Sequence, residues 1–219
     1  CFPAPHGFFT RSVLLFRHLK PWVRRGFTAG LNEADLKQEL AQDPVLPSVI
    51  AVPRYLQEVY WWAYVHPNAI RVFERQWLVN AILWGNFSRL RDAALQVLTP
   101  VKGRLLQVAC VYGDLTMRLA DGMSKDSSLD VVDIVPAQIS NLQQKLADRS
   151  RVALFQRNSA ALGFADDMYS GTLLFFLLHE QPESVRRQTL AEAVRVTAPG
   201  GRIVIADYHC PSRWHPLYY

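Results

Sequence analysis

Asp133, His179, Glu180, Asp207 and His209 each stand just after a run of apolar residues of strand length, where side chains converge on ligands in parallel sheets. Upstream, residues 105–116 read as a strand entering a turn closed by Gly113, the residue type that takes the backbone a tight ligand-binding turn needs. Asp133 follows that glycine by about 20 residues, the separation at which a carboxylate accepts hydrogen bonds from ribose hydroxyls. His179, Glu180, Asp207 and His209 bring two imidazoles and two carboxylates to one rim. Such a set suits a divalent ion such as manganese, iron or zinc, polarising a substrate carbonyl. Their spacing is no local ligand motif, so convergence depends on the fold, and a satisfied structural histidine is the plainer alternative. His66, at the His66-Pro67 break, is a further candidate for the same rim.

The elements that must position these groups alternate. Strands are expected at 104–109, 128–133, 151–156, 172–177 and 202–206, with helices at 114–122, 136–147 and 183–197 and a turn at 198–201. Alternation of this kind predicts an α/β fold, a doubly wound and mainly parallel sheet with right-handed crossovers. Ahead of it, apolar and aromatic residues recur at helical spacing over 54–65 and 68–98, which predicts a helical cap. Trp61, Trp62, Tyr64, Trp77 and Trp84 concentrate there, as core or as the lining for a flat ring or a greasy tail. Asp43-Pro44-Val45-Leu46-Pro47 breaks any helix. Three segments result: an arm over 1–43, a cap over 44–100 and the sheet unit over 101–219, the last two packing as one body.

With 219 residues, half of them hydrophobic, the chain can bury one substantial core, which excludes general disorder. Three widely spaced cysteines, Cys1, Cys110 and Cys210, support neither a disulfide framework nor a cysteine zinc site, and favour a reducing compartment. No apolar run approaches the roughly 20 residues of a spanning helix, and no cleavable signal is evident. The net charge of +5 is confined to residues 1–32, where Arg11, Arg17, Lys20, Arg24 and Arg25 meet no Asp or Glu. Phe8, Phe9, Leu14, Phe16, Trp22 and Phe27 interleave with them. That mixture fits an anionic membrane surface better than nucleic acid, with an arm packed on its own domain as the bland alternative. A peripheral protein on the cytoplasmic side is expected.

Over roughly residues 100–210 the sequence resembles class I S-adenosylmethionine-dependent methyltransferases. The resemblance rests on the turn at 105–116, on Asp133-Ile134, on Asn158-Ser159 with Gly163-Phe164-Ala165-Asp166, and on 195–201. It implies a Rossmann-like sheet and a donor site made of Gln107, Ala109, Gly113, Thr116, Asp133, Ile134, Asn158 and Ser159. In that family Asn158 would face the adenine amine. Two positions depart from the family: Gln107 stands for an acid and Val111 for a glycine. The residues after Ala206 are too few for the helix and final hairpin that usually complete the fold.

More narrowly, residues 108–116 together with 60–67 and Trp84-Gly85-Asn86 look like the rhodoquinone biosynthesis family. That family replaces a ring methoxy group of ubiquinone by an amino group donated by S-adenosylmethionine, with a divalent metal, notably manganese. The resemblance implies ubiquinone as partner and the His179, Glu180, Asp207, His209 set as the metal site. Tyr64, His66 and Tyr208 would orient the quinone or move protons. A neutral Gln107 would remove charge stabilisation from the donor's ammonium and make a nucleophilic amine easier to reach. Two alternatives stay open: a conventional methyltransferase acting on a quinone or another small apolar ring, and a catalytically silent binding protein of the same fold.

Overall fold

The computed structural model describes residues 13–17, 52–53, 74–75, 77, 85–146 and 149–207. In chain order these form β1 (Val13–Arg17), α1 (Asn86–Leu98), β2 (Arg104–Val108), α2 (Leu115–Gly122), β3 (Ser128–Asp133) and α3 (Pro136–Leu146). They continue as β4 (Val152–Gln156), β5 (Tyr169–Phe175), a 3-10 turn (Leu178–Glu180), α4 (Glu183–Val196) and β6 (Thr197–Ala206). The sheet order is β1-β6-β5-β2-β3-β4. β2 to β6 run parallel, and β1 lies antiparallel on the outer edge of β6.

Strict alternation along the central strands divides the core in two. Leu105, Leu129, Val131, Leu173, Phe175 and Val204 pack on one face with Phe87 and Leu98 of α1, Leu115 and Leu119 of α2, and Leu142 of α3. Leu106, Val108, Val132, Leu174, Ile203 and Ile205 pack on the other with Ala193 and Val196 of α4 and with Leu162 and Phe164. Buried on both sides, these strands read as near-continuous apolar runs, as parallel strands do.

Two of the central strands end where the backbone turns left-handed. Ala109 (φ 75°) closes β2 one residue before the expected boundary, and Phe176 (φ 53°) closes β5 two residues early. Both residues are pinned by donating their N–H to a neighbouring strand, Ala109 to the Val132 carbonyl at 2.8 Å and Phe176 to that of Ala206 at 2.7 Å. β5 starts at Tyr169 rather than 172, and pairing with β6 jumps from Tyr169↔Thr197 to Gly171↔Arg202. That irregularity takes up the turn expected at 198–201, with Gly200 at φ 81°.

The arm is not wholly separate from the sheet. Its residues 13–17 pair with β6 from Val13↔Ala206 to Arg17↔Arg202, as the alternative of an arm packed on its own domain requires for that stretch. The rest of the arm lies outside the described residues, as do most of the cap before α1 and Trp61, Trp62 and Trp84. Trp77 is 65% exposed. No helix among the described residues is long and apolar enough to cross a membrane.

Candidate functional site

At the carboxyl ends of β2, β3, β4 and β5 lies a cleft open to solvent. Asp133 lines it from the end of β3, 8% exposed. Its Oδ2 accepts the Cys110 N–H at 2.7 Å and its Oδ1 that of Val135 at 2.8 Å. Burial pushes its pKa up to about 6, against the opposing pull of the Val135 and Cys110 amides. The same burial, with the Asp133 charge beside it, raises the Cys110 thiol well above its ordinary range. Asp133 thus ties the turn after β2 to the turn after β3 while offering acceptor capacity to a ligand.

The turn between β2 and α2 is built differently from the expectation. Val111 is not among the residues of positive φ; the left-handed conformation falls on Ala109 and Gly113 (φ 86°). A β-branched residue is therefore accommodated at 111, where it packs against the core. Gln107 does not line the cleft. Strand alternation turns it to the face of α2, fully buried, where its Nε2 donates to the Ala109 carbonyl at 2.9 Å and its Oε1 accepts the Thr116 hydroxyl at 3.0 Å. Gln107 and Thr116 thus cross-brace the turn.

Gly113 is likewise off the cleft lining. Its carbonyl accepts from Lys145 Nζ at 2.7 Å, and its N–H points to Glu74 Oε2 at 3.4 Å. Glu74 also pairs with Lys145 at 2.8 Å and accepts from Asn141 at 2.6 Å. On the other side the buried Arg91 of α1 holds Asp114 at 2.7 Å, and Arg118 holds the same carboxylate. Charges contributed from before the sheet unit therefore clamp a turn that carries Val111 where the family has a glycine.

Ala109, Ile134, Asn158 and Ser159 line the cleft with Asp133. The acceptor oxygen of Asn158 takes the Ala160 N–H at 2.9 Å, which closes a turn. The sequence did not single out Gln138, Phe176 or Gln181, which share the lining. Gln138 is spent on the Tyr112 hydroxyl at 2.7 Å. Gln181 falls beyond the strand end, past the more conspicuous His179-Glu180, and no periodicity marks it.

On the rim expected to hold a metal, His179 Nδ1 lies 2.7 Å from Asp207 Oδ1, and Asp207 Oδ2 accepts the N–H groups of Leu178 at 2.7 Å and His179 at 3.2 Å. Glu180 lines the cleft, its Oε1 3.7 Å from His179 Nε2. These contacts fix the 3-10 turn and the imidazole and lend no support to a divalent ion. Among the described residues no group of three or more His, Cys, Asp or Glu is arranged to hold one. His209, Tyr64, His66 and Tyr208 lie outside the described residues.

Residues 105–201 match the family described as methyltransferase domain. The chain is 26% identical over 150 residues to the demethylmenaquinone methyltransferase of Bacillus licheniformis, covering 68% of this chain and 64% of that protein. It is 28% identical over 143 residues to the ubiquinone/menaquinone biosynthesis C-methyltransferase UbiE of Methylobacterium nodulans, covering 63% and 56%. The chain thus spans less than two thirds of the length of these relatives. Among solved structures, the N-methyltransferase NodS of Bradyrhizobium japonicum in complex with S-adenosyl-L-homocysteine superposes with a TM-score of 0.52 at 16% identity, over 63% of this chain and 70% of NodS.

Proposed function

We propose, from the premise that residues 105–201 belong to the class I S-adenosylmethionine-dependent methyltransferase superfamily, that the protein transfers a methyl group from S-adenosylmethionine to a quinone-type ring. The observation that carries this reading is a cleft at the strand ends of such a segment with the Asp133 carboxylate in its wall. The acceptor class comes from the two relatives, whose names place their own methyl transfer in menaquinone and ubiquinone chemistry. In the reaction the donor's sulfur–methyl bond breaks, a ring carbon gains the methyl and loses its proton, and S-adenosylhomocysteine remains.

One observation favours a second reading, amino transfer from S-adenosylmethionine to ubiquinone to give rhodoquinone. β2 and its turn carry no acid before Asp114, and the amide at 107 is committed to Ala109 and Thr116. No carboxylate of β2 is then present to hold the donor's ammonium charged. Here a ring carbon–nitrogen bond forms and methoxy leaves as methanol; the donor's own carbon–nitrogen bond then breaks by elimination, the adjacent donor carbon giving up the proton that the ring nitrogen gains.

The test is S-adenosylmethionine labelled with carbon-13 on its methyl and nitrogen-15 on its amine, incubated with a demethylated quinol or a ubiquinone analogue, with and without Mn²⁺. Carbon-13 in the quinone product supports the first reading. Nitrogen-15 gained with methoxy lost transfers the conclusion to the second. No product and no donor binding on titration leaves a silent binding protein of this fold.

A lipid-dissolved acceptor also gives the arm a role at an anionic membrane, supported by the unopposed bases of residues 1–32 and by the exposed Trp77. Co-sedimentation with anionic but not neutral vesicles, weakened in the doubly substituted R24E/R25E chain, is the expected result. Equal recovery from both vesicle types would count against that role.

A further inference from the structure

The geometry points to Gln181 as the residue that reads the exocyclic amine of the donor's base. Gln181 is 3% exposed and lines the cleft beside Ser159. Its Nε2 donates to Ser159 Oγ at 2.9 Å, and that hydroxyl is in turn 3.0 Å from Thr189 Oγ1 on α4. The Ser–Thr pair anchors that end of the amide. Its other end, Oε1, is buried with no hydrogen-bond partner, the one side-chain atom in that state among the described residues.

A buried amide oxygen without a donor is an unfavourable arrangement that proteins rarely keep. On a residue that lines a ligand cleft, it is complementary to a ligand N–H. The neighbouring groups narrow the choice. Asp133 offers only acceptors, which suits ribose hydroxyls. Asn158, to which the family pattern gives the adenine amine, already accepts the Ala160 N–H. The wholly unpartnered acceptor for an amino group comes from the turn after β5. An aminopurine satisfies Gln181, whereas a 6-oxopurine sets carbonyl against carbonyl.

This inference rests on the S-adenosylmethionine reading above. Its test compares S-adenosylhomocysteine with S-inosylhomocysteine, which differ in the 6-amino against the 6-oxo group, by calorimetric titration of the wild-type chain and of Q181M. Wild type is expected to favour the amino ligand about tenfold or more, and Q181M to bring that ratio close to one. S159A, which frees the amide to rotate, is expected to reduce the ratio as well, and decides the matter if Q181M does not fold. A wild-type ratio near one overturns the role of Gln181, as does a ratio unchanged in both variants while S-adenosylhomocysteine still binds. Absence of binding by either ligand to wild type overturns the donor reading itself, and this inference with it.

Discussion

Asp133 and Asp207 occupy matching places at the ends of β3 and β6, yet they serve different ends. Each accepts two backbone N–H groups and stitches a loop to its neighbour, Asp133 at Cys110 and Val135, Asp207 at Leu178 and His179. Asp207 adds the His179 ring. Asp133 has no ion-pair partner among the described residues, and burial holds its pKa near 6. The difference teaches that a strand-end carboxylate is a structural brace by default and becomes available to a ligand where it also lines an open cleft, as Asp133 does.

The largest expected effect separates the two. The folded-state pKa of Asp133 lies above its ordinary value of 3.8, so between about pH 4 and 6 the folded protein keeps a proton that the unfolded chain releases. Stability from this group is fullest below about pH 4 and is lost as pH rises through about 6, to a total of about 3 kcal/mol. Asp133→Asn cannot titrate, but it sets an amide NH2 against one of the Cys110 and Val135 N–H groups; it is expected to remove that pH dependence, so that its stability relative to wild type rises by about 3 kcal/mol between pH 4 and pH 8. The same substitution is expected to weaken S-adenosylhomocysteine binding by about 30-fold or more, through the loss of charge-assisted bonds to ribose. Denaturation at the two pH values with titration at pH 8 reads both, and a stability difference from wild type that is the same at both pH values would erase the contrast with Asp207.

Asp207→Asn is expected to act on stability and hardly on donor binding. It exchanges an acceptor for a donor beside Leu178 and His179, a loss of about 2 kcal/mol in stability, with donor affinity within about threefold of wild type. A large fall in affinity would place Asp207 in the donor site after all. Smaller again is Lys145→Met, which unties Gly113 from Glu74. A partly buried pair of this kind is worth about 1 kcal/mol, and hydrogen exchange at the Gly113 amide is expected to rise in the free protein. Unchanged exchange would show that the clamp does not hold the turn.

The smallest effect concerns Ala109. Its left-handed backbone costs about 1 kcal/mol that glycine avoids, while glycine adds entropy to the unfolded chain. Ala109→Gly is expected to change stability by less than about 1 kcal/mol in thermal denaturation, with retained donor binding. A loss of several kcal/mol would mean that its methyl group packs in the cleft wall.

Much of the fold was legible in the chain because parallel strands buried on both faces leave uninterrupted apolar runs, and β3 was placed at its observed ends. The ends of β2 and β5 were misjudged because Ala109 and Phe176 are ordinary strand residues by type, and their left-handed backbone comes from hydrogen bonds to neighbouring strands. Asp133 was recognisable from its distance to Gly113. For Gln107, strand parity puts the side chain with Leu105 on the face of α1 and α2, but its bonds to Ala109 and Thr116 depend on the turn that follows.

By itself the sequence determined the order of elements, the two-faced core and the acid at the end of β3, since apolar period and residue spacing are local properties. Tertiary structure alone decided which polar atoms remain unspent. Asn158 and Asp207 are conspicuous in the chain and occupied in the fold, whereas Gln181 is inconspicuous and left with a bare acceptor. Hydrogen-bond saturation is settled by partners distant in sequence, as Thr189 and Ser159 are from each other and Glu74 is from Lys145. No spacing rule along the chain encodes it.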